Sequence, residues 1–152
     1  MTEDFFSTEE FKQKLEFEYS KLKPLYEKMV DEVLYILGEA LGKEDVKFHS
    51  LTARKNKIKT FESFYGKVKR KQYREKQFEL IEDIAGVRII CLYRHDLERI
   101  GNIIHKCFVV TKVDTSRTRT ELTFGYSSDH YIVKISENCK GASGVLVTDG
   151  VL

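Results

Sequence analysis

Between Lys57 and Tyr93 the chain passes from regularly spaced cations to a carboxylate pair and then to an apolar, β-branched stretch. Lys59, Ser63, Lys67, Lys71 and Arg74 recur at spacings of four, four, four and three. On a helix this sets hydroxyl and cationic groups along one face. Phe61, Phe64, Tyr65 and Val68 fall mainly on the other face, which predicts a side turned to a core. Glu82 and Asp83 follow, leading into a predicted strand from Val87 to Tyr93 whose length and branching suit a central position. Cations beside a carboxylate at a strand mouth are what a metal–polyphosphate site requires. Lysines neutralise phosphate oxygens, and the carboxylate holds the magnesium that bridges them. The same residues also fit a solvated charged helix followed by a buried strand. The pattern alone does not separate the two.

With 152 residues the chain suits one domain, and 41% hydrophobic content argues for a real core. Its 26 basic and 24 acidic residues nearly cancel, so anion binding has to come from local clustering, as between Lys55 and Lys76. Cys91, Cys107 and Cys139 show no paired spacing; Cys91 and Cys107 lie in apolar, strand-like runs and are expected to be buried thiols in a reducing compartment. The acidic start Met1-Thr2-Glu3-Asp4 does not suggest a signal peptide. No apolar run approaches the ~20 residues that span a bilayer. The expectation is a soluble, cytoplasmic protein without membrane association.

Ser7-Thr8-Glu9-Glu10 predicts a capped helix start. Phe11, Leu15, Tyr19 and Leu22 continue it, and Leu25, Met29, Val33, Ile36 and Leu37 resume the stripe after Pro24. This predicts two helices, or one kinked at Pro24, ending near Gly38 or Gly42. A strand is expected from Val46 to Thr52, then a polar connection and the basic helix from about Thr60 to Arg74. Asp96 is a candidate cap for a helix burying Leu97, Ile100, Ile103 and Ile104. Cys107–Val113 and the alternating residues around Tyr131, Val133 and Ile135 predict two more strands, with an exposed loop from Asp114 to Thr123 between them. Helices and strands mix without a repeating unit, which predicts an α+β fold with a mixed sheet.

Three pieces stand in a recognisable order: Lys59-x-x-x-Ser63-x-x-x-Lys67, Asp83-Ile84-Ala85-Gly86-Val87-Arg88, and Gly125-Tyr126-Ser127-Ser128-Asp129-His130-Tyr131. Together, over roughly half the chain, they resemble the synthetase domain of the RelA/SpoT family. The resemblance implies a nucleotidyltransferase-like mixed sheet flanked by helices, here with an N-terminal helical segment. It also implies transfer of pyrophosphate from ATP to the 3′-hydroxyl of GDP or GTP with magnesium, giving ppGpp or pppGpp. In that reading Asp83 matches the magnesium ligand, and Lys59, Ser63 and Lys67 match the residues on the ATP phosphates. Tyr126 matches the tyrosine that stacks on the acceptor guanine, with His130 beside it. Catalysis falls to Asp83, Lys67 and His130, and substrate binding also involves Lys57 and Arg88. Each has a plainer alternative: a capping carboxylate for Asp83, a buried ion pair for Arg88, a structural strand histidine for His130, an ordinary turn for Tyr126. His95-Asp96 lacks the further ligands of an HD hydrolase.

The chain also departs from the pattern. Lys57 stands where the family usually carries an arginine, which loses the planar stacking fork; Arg54 is the substitute if the connection carries an insertion. Ser127 and Leu122-Thr123-Phe124 differ from the guanosine-specific small synthetases, and the form Phe-Gly-Tyr-x-Ser-x-His-Tyr looks more like toxin-type or otherwise divergent members, some of which modify the 3′ end of tRNA. Beyond residue 142 nothing resembles the family's Glu-x-Gln-x-Arg-Thr strand, and Asp149 is the only carboxylate left. The sequence therefore predicts a domain over 1–142, incomplete at its C-terminal side, and an atypical tail over 143–152. An unpaired sheet edge would follow, with weak or absent synthetase activity and a homo-oligomer covering the edge. A nucleotide-binding or interaction module without catalysis is the alternative from another class.

Overall fold

The computed structural model describes residues 4–93, 95–114, 126–135 and 144–151; within the last two segments the side chains of 126, 127 and 144–151 are not described. The Asp114–Thr123 loop (beyond Asp114 itself) and Cys139 lie outside the described residues.

A short 3-10 turn at Phe5–Ser7 leads into α1 (Glu9–Lys43), which runs unbroken through Pro24. Thr8 caps it, its hydroxyl accepting from the Phe11 N–H at 3.3 Å. Proline removes one helical donor, and the carbonyl it releases belongs to Ser20. Ser20 and Pro24 are both exposed, so water can satisfy that carbonyl and the helix need not end. The buried stripe passes Pro24 in phase through Tyr26, Met29, Val30, Val33, Leu37 and Leu41. Leu25, expected on the stripe, is 61% exposed, because the helical phase at this point selects Tyr26 instead.

β1 (Phe48–Ile58) is longer than the sequence suggests and absorbs the polar connection. Thr60 then caps α2 (Phe61–Lys71), accepting from the Ser63 N–H at 3.3 Å, and Gln72 in the left-handed region ends it. Arg74 therefore falls off the basic helix and lies over the Phe5 ring at 4.8 Å. A single-turn α3 (Gln77–Leu80) precedes β2 (Ala85–Cys91). Next come α4 (Asp96–Cys107), β3 (Val109–Asp114), β4 (Tyr126–Lys134) and β5 (Gly144–Val151). Cys107 ends α4 instead of starting a strand, and it is only partly buried; Cys91 is fully buried.

The described strands form one sheet in the order β1-β2-β5-β4-β3. Only β2 and β5 run parallel; the other pairs are antiparallel. This is the mixed α+β architecture that the sequence predicts. β5 occupies the centre, with Ala85 opposite Gly144 on one side and Val133 opposite Gly144 on the other. Residues 144–151, expected as a tail beyond the domain, pair on both sides within this sheet. They escape recognition in the sequence because the run Val145–Val147 carries no motif and its pairing is entirely non-local.

Alternation decides the two faces. On β2, Ala85, Val87, Ile89 and Cys91 are buried, while Gly86, Arg88 and Ile90 are not. The buried set packs under α1, and α4 covers β5 and β3 alongside it. Ile100, Ile103 and Ile104 of α4 join Leu37 and Leu41 of α1 in the fully buried core. α2 is attached through Phe64 and Val68, both fully buried, with Phe64 stacked on Phe78 at 4.5 Å. Two such side chains contribute about 1.5–3 kcal/mol each, and their burial holds the adjoining basic face of α2 against the site. No helix among the described residues is long and apolar enough to cross a membrane.

Candidate functional site

The bulk of the site is set by an irregularity in β1. Ala53 pairs with Val87 and Ile58 with Ala85, so β1 spends several more residues than β2 over the same stretch. Asn56 and Lys57 take positive φ of 65° within this bulge, a conformation asparagine tolerates better than lysine. One consequence is that Lys57 turns away: its ammonium group pairs with Asp31 of α1 at 2.8 Å. Arg54 turns towards the site instead, its guanidinium donating to the Asp83 carbonyl at 2.9 Å.

Asp83 sits at the centre, in the turn before β2. Its Oδ1 accepts from Lys67 Nζ at 3.0 Å and its Oδ2 from Lys59 Nζ at 3.2 Å. The two lysines arrive by different routes. Lys59 precedes the cap of α2, and its backbone is pinned on both sides: its N–H donates to the Ile84 carbonyl at 2.7 Å, and the Tyr19 hydroxyl donates to its own carbonyl at 2.8 Å. Lys67 lies two turns into α2, on the face it shares with Ser63 and Lys71. Burial pushes the Asp83 carboxyl up, but the hydrogen bonds from Lys67 and Lys59 and their charges outweigh it and hold the group below the ordinary carboxylate range.

From Asp83 an open cleft of about 970 Å³ extends over the uncovered face of the sheet. Arg54, Lys55, Lys67, Lys71, Arg88 and Lys112 line it, against Glu82, Asp83 and Asp114. Cations outnumber acids among these residues, which suits a polyanionic ligand. His130 of β4 forms part of the far wall, directly opposite Asp114 of β3 in the ladder. Arg88 is exposed on the open face of β2. Ser63 is exposed in the first turn of α2, outside the lining of the cleft. The Tyr126 backbone pairs with Val151 at the start of β4, but its side chain lies outside the described residues.

The structure thus brings together Lys59, Lys67, Asp83, Arg88 and His130, and it separates Lys57 from them. Lys112 and Asp114 join the site without a sequence motif. The only signal for them was their alternate placement on one face of β3. No cluster of three or more potential metal-ligating His, Cys, Asp or Glu side chains exists among the described residues. Asp83 with neighbouring Glu82 nevertheless fits magnesium, which commonly takes one or two carboxylates and completes its shell with phosphate oxygens and water.

Comparison with known proteins bears on this arrangement. Residues 56–146 match the family described as a region found in RelA / SpoT proteins. The chain is 36% identical over 89 residues to the GTP pyrophosphokinase YwaC of Bacillus subtilis (strain 168), an alignment that takes in 55% of this chain and 42% of that protein. It therefore spans less than half the length of that relative. Among solved structures, small alarmone synthetase 1 from Bacillus subtilis bound to its product pppGpp superposes with a TM-score of 0.67 at 20% identity, covering 88% of this chain and 73% of that one. The same synthetase bound to AMPCPP gives a TM-score of 0.61 at 21% identity, covering 88% and 69%. The shared fold and the family match over more than half the sequence lead to one conclusion: the chain belongs to the family defined by the region found in RelA / SpoT proteins.

Proposed function

We propose that the chain is a pyrophosphokinase of the alarmone synthetase type, with ATP as donor and GDP or GTP as acceptor. The observation that carries this reading is the convergence of Lys59 and Lys67 on Asp83 at the mouth of a cationic cleft. The names of the relatives, a GTP pyrophosphokinase and a synthetase with pppGpp or AMPCPP bound, point the same way.

In the proposed reaction the acceptor 3′-hydroxyl attacks the β-phosphorus of ATP. The bond from that phosphorus to the oxygen bridging it to the α-phosphorus breaks, AMP leaves with that oxygen, the hydroxyl proton passes to solvent, and pyrophosphate passes to the acceptor. Such a transfer is limited by placement and by the charge on the phosphates. Asp83 would hold magnesium, which would supply charge neutralisation at the phosphates. Lys59 and Lys67 hold the donor phosphates, with Ser63 one turn nearer the helix start on the same face. Arg54 takes over the guanidinium role that Lys57 cannot fill, since it reaches the Asp83 backbone while Lys57 is tied to Asp31. Arg88 and His130 line the acceptor side, and Tyr126 is assigned to the acceptor base through the family motif. The protein acts in the cytoplasm in this reading.

Labelled ATP (γ position) incubated with the full chain, magnesium and GDP, GTP or bulk tRNA tests this directly. Label on a guanine nucleotide, lost in Asp83→Asn, is the expected result. Label on tRNA would redirect the acceptor assignment to nucleic acid. A folded chain that binds ATP and transfers nothing would reduce the function to nucleotide binding.

A further inference from the structure

The Asp83 carboxylate, which in the reading above shares magnesium with the donor phosphates, already has both oxygens engaged by ammonium groups. Those groups are not casual surface partners. The Lys59 side chain is 12% exposed and the Lys67 side chain 24%. Lys59 is anchored through its backbone to Ile84 and Tyr19, Lys67 is fixed by α2, and the Asp83 backbone is itself held by Arg54. The three charges are built into place.

This arrangement disfavours each half of the ligand separately. A free divalent cation approaching Asp83 meets two positive charges at hydrogen-bond distance from the oxygens it needs. A polyphosphate without its cation meets the Asp83 charge beside the lysines it needs. When both arrive together, phosphate oxygens draw the ammonium groups off the carboxylate, and the carboxylate lone pairs turn to the cation. We infer that Lys59 and Lys67 make Asp83 selective for a divalent cation already complexed to a polyphosphate, against the free cation and against metal-free polyphosphate. The inference rests on the metal–polyphosphate reading of this site, and it adds a specificity role to the two lysines beyond holding phosphate.

Mn2+ and AMPCPP are the probes, and binding to the protein is read by titration calorimetry. The full chain is titrated with Mn2+ alone, with AMPCPP in excess chelator, and with both. The complex is expected to bind at least on the order of tenfold more tightly than either component, the scale of one charge-assisted hydrogen bond lost or gained. Lys67→Met and Lys59→Met keep the apolar stem and remove the charge. Each is expected to raise affinity for Mn2+ alone by on the order of tenfold while weakening AMPCPP binding. Asp83→Asn should abolish the effect of Mn2+ and let metal-free AMPCPP bind at least as well as to the wild type. The three wild-type titrations decide the matter even where a variant fails to fold. Wild-type protein that binds Mn2+ alone as tightly as the complex, with binding lost in Asp83→Asn, overturns the selectivity and leaves the site reading standing. Folded wild-type protein that binds neither probe, alone or together, overturns both.

Discussion

At the scale of single residues, the site turns on one half-exposed carboxylate and the cations around it. Because the Asp83 carboxyl is held below its unfolded range, it stabilises the fold at pH values above that range. The contribution is lost as pH falls through the folded value. Asp83→Asn should therefore flatten the acid limb of a stability–pH profile followed by denaturant titration. In the proposed reaction the same substitution should lower pyrophosphate transfer by at least about a hundredfold, since it removes the charge assigned there to the metal. A sharper comparison sets Arg54→Ala against Lys57→Ala. The first should weaken ATP binding measurably in calorimetry; the second should leave it nearly unchanged, because the Lys57 ammonium serves Asp31. Equal losses from both would return Lys57 to the site. Residue type, spacing and the family resemblance group Asp83, Lys59, Lys67 and Lys57 in one site; the structure brings the first three into contact and pairs Lys57 with Asp31 instead. Which of two nearby cations enters a cleft depends on a bulge, and a bulge is a property of the pairing with β2, not of either residue.

At the scale of elements, local rules account for α2 and α4 and fall short for α1 and β1. Thr60 caps α2 and so fixes where the Ser63–Lys67–Lys71 face begins. Thr60→Ala should cost about 1 kcal/mol of stability, read as a lower denaturant midpoint. Pro24 predicts a break or a kink because proline lacks a donor, yet burial on both sides of it in one phase carries α1 through. Pro24→Ala should raise stability by about 1–3 kcal/mol, seen as a higher melting temperature. An unchanged or lower value would show that the proline is accommodated at no cost. β5 presents the opposite case. It sits beside β2, yet Val145 and Val147 stand in register with Gly86 and Arg88, and the only acid of the strand, Asp149, pairs with Ile90. Four residues at about 3.3 Å each put Asp149 roughly 13 Å along the strand from the Gly86 register.

At the scale of the whole molecule, the sheet depends on its last described strand. A chain ending at Ala142 would lose the connection between the β1–β2 and β4–β3 halves, and it should show no cooperative unfolding transition by circular dichroism. The interface between sheet and α4 is equally tight. A Cβ on Gly101 would stand 2.6 Å from the Tyr131 hydroxyl, itself part of a buried side chain. Gly101→Ala should cost about 1–3 kcal/mol. Burial, reinforced by the Asp129 charge, pushes the Tyr131 phenol up to about 12. Its stabilising contribution is therefore intact below the ordinary value near 10 and is lost as pH rises towards 12. Tyr131→Phe should remove that alkaline sensitivity. By itself the sequence determined what short-range chemistry determines: the basic face of α2, the Asp83 turn into β2, the buried stripe of α4 and the mixed α+β class. Periodicity and side-chain type carry that information within a few residues. Only the tertiary structure decided that β5 completes the sheet, that β1 bulges to exchange Arg54 for Lys57, and that Lys112 and Asp114 face the cleft. Strand order and register are set by contacts between residues far apart in the chain, where local pattern has no purchase.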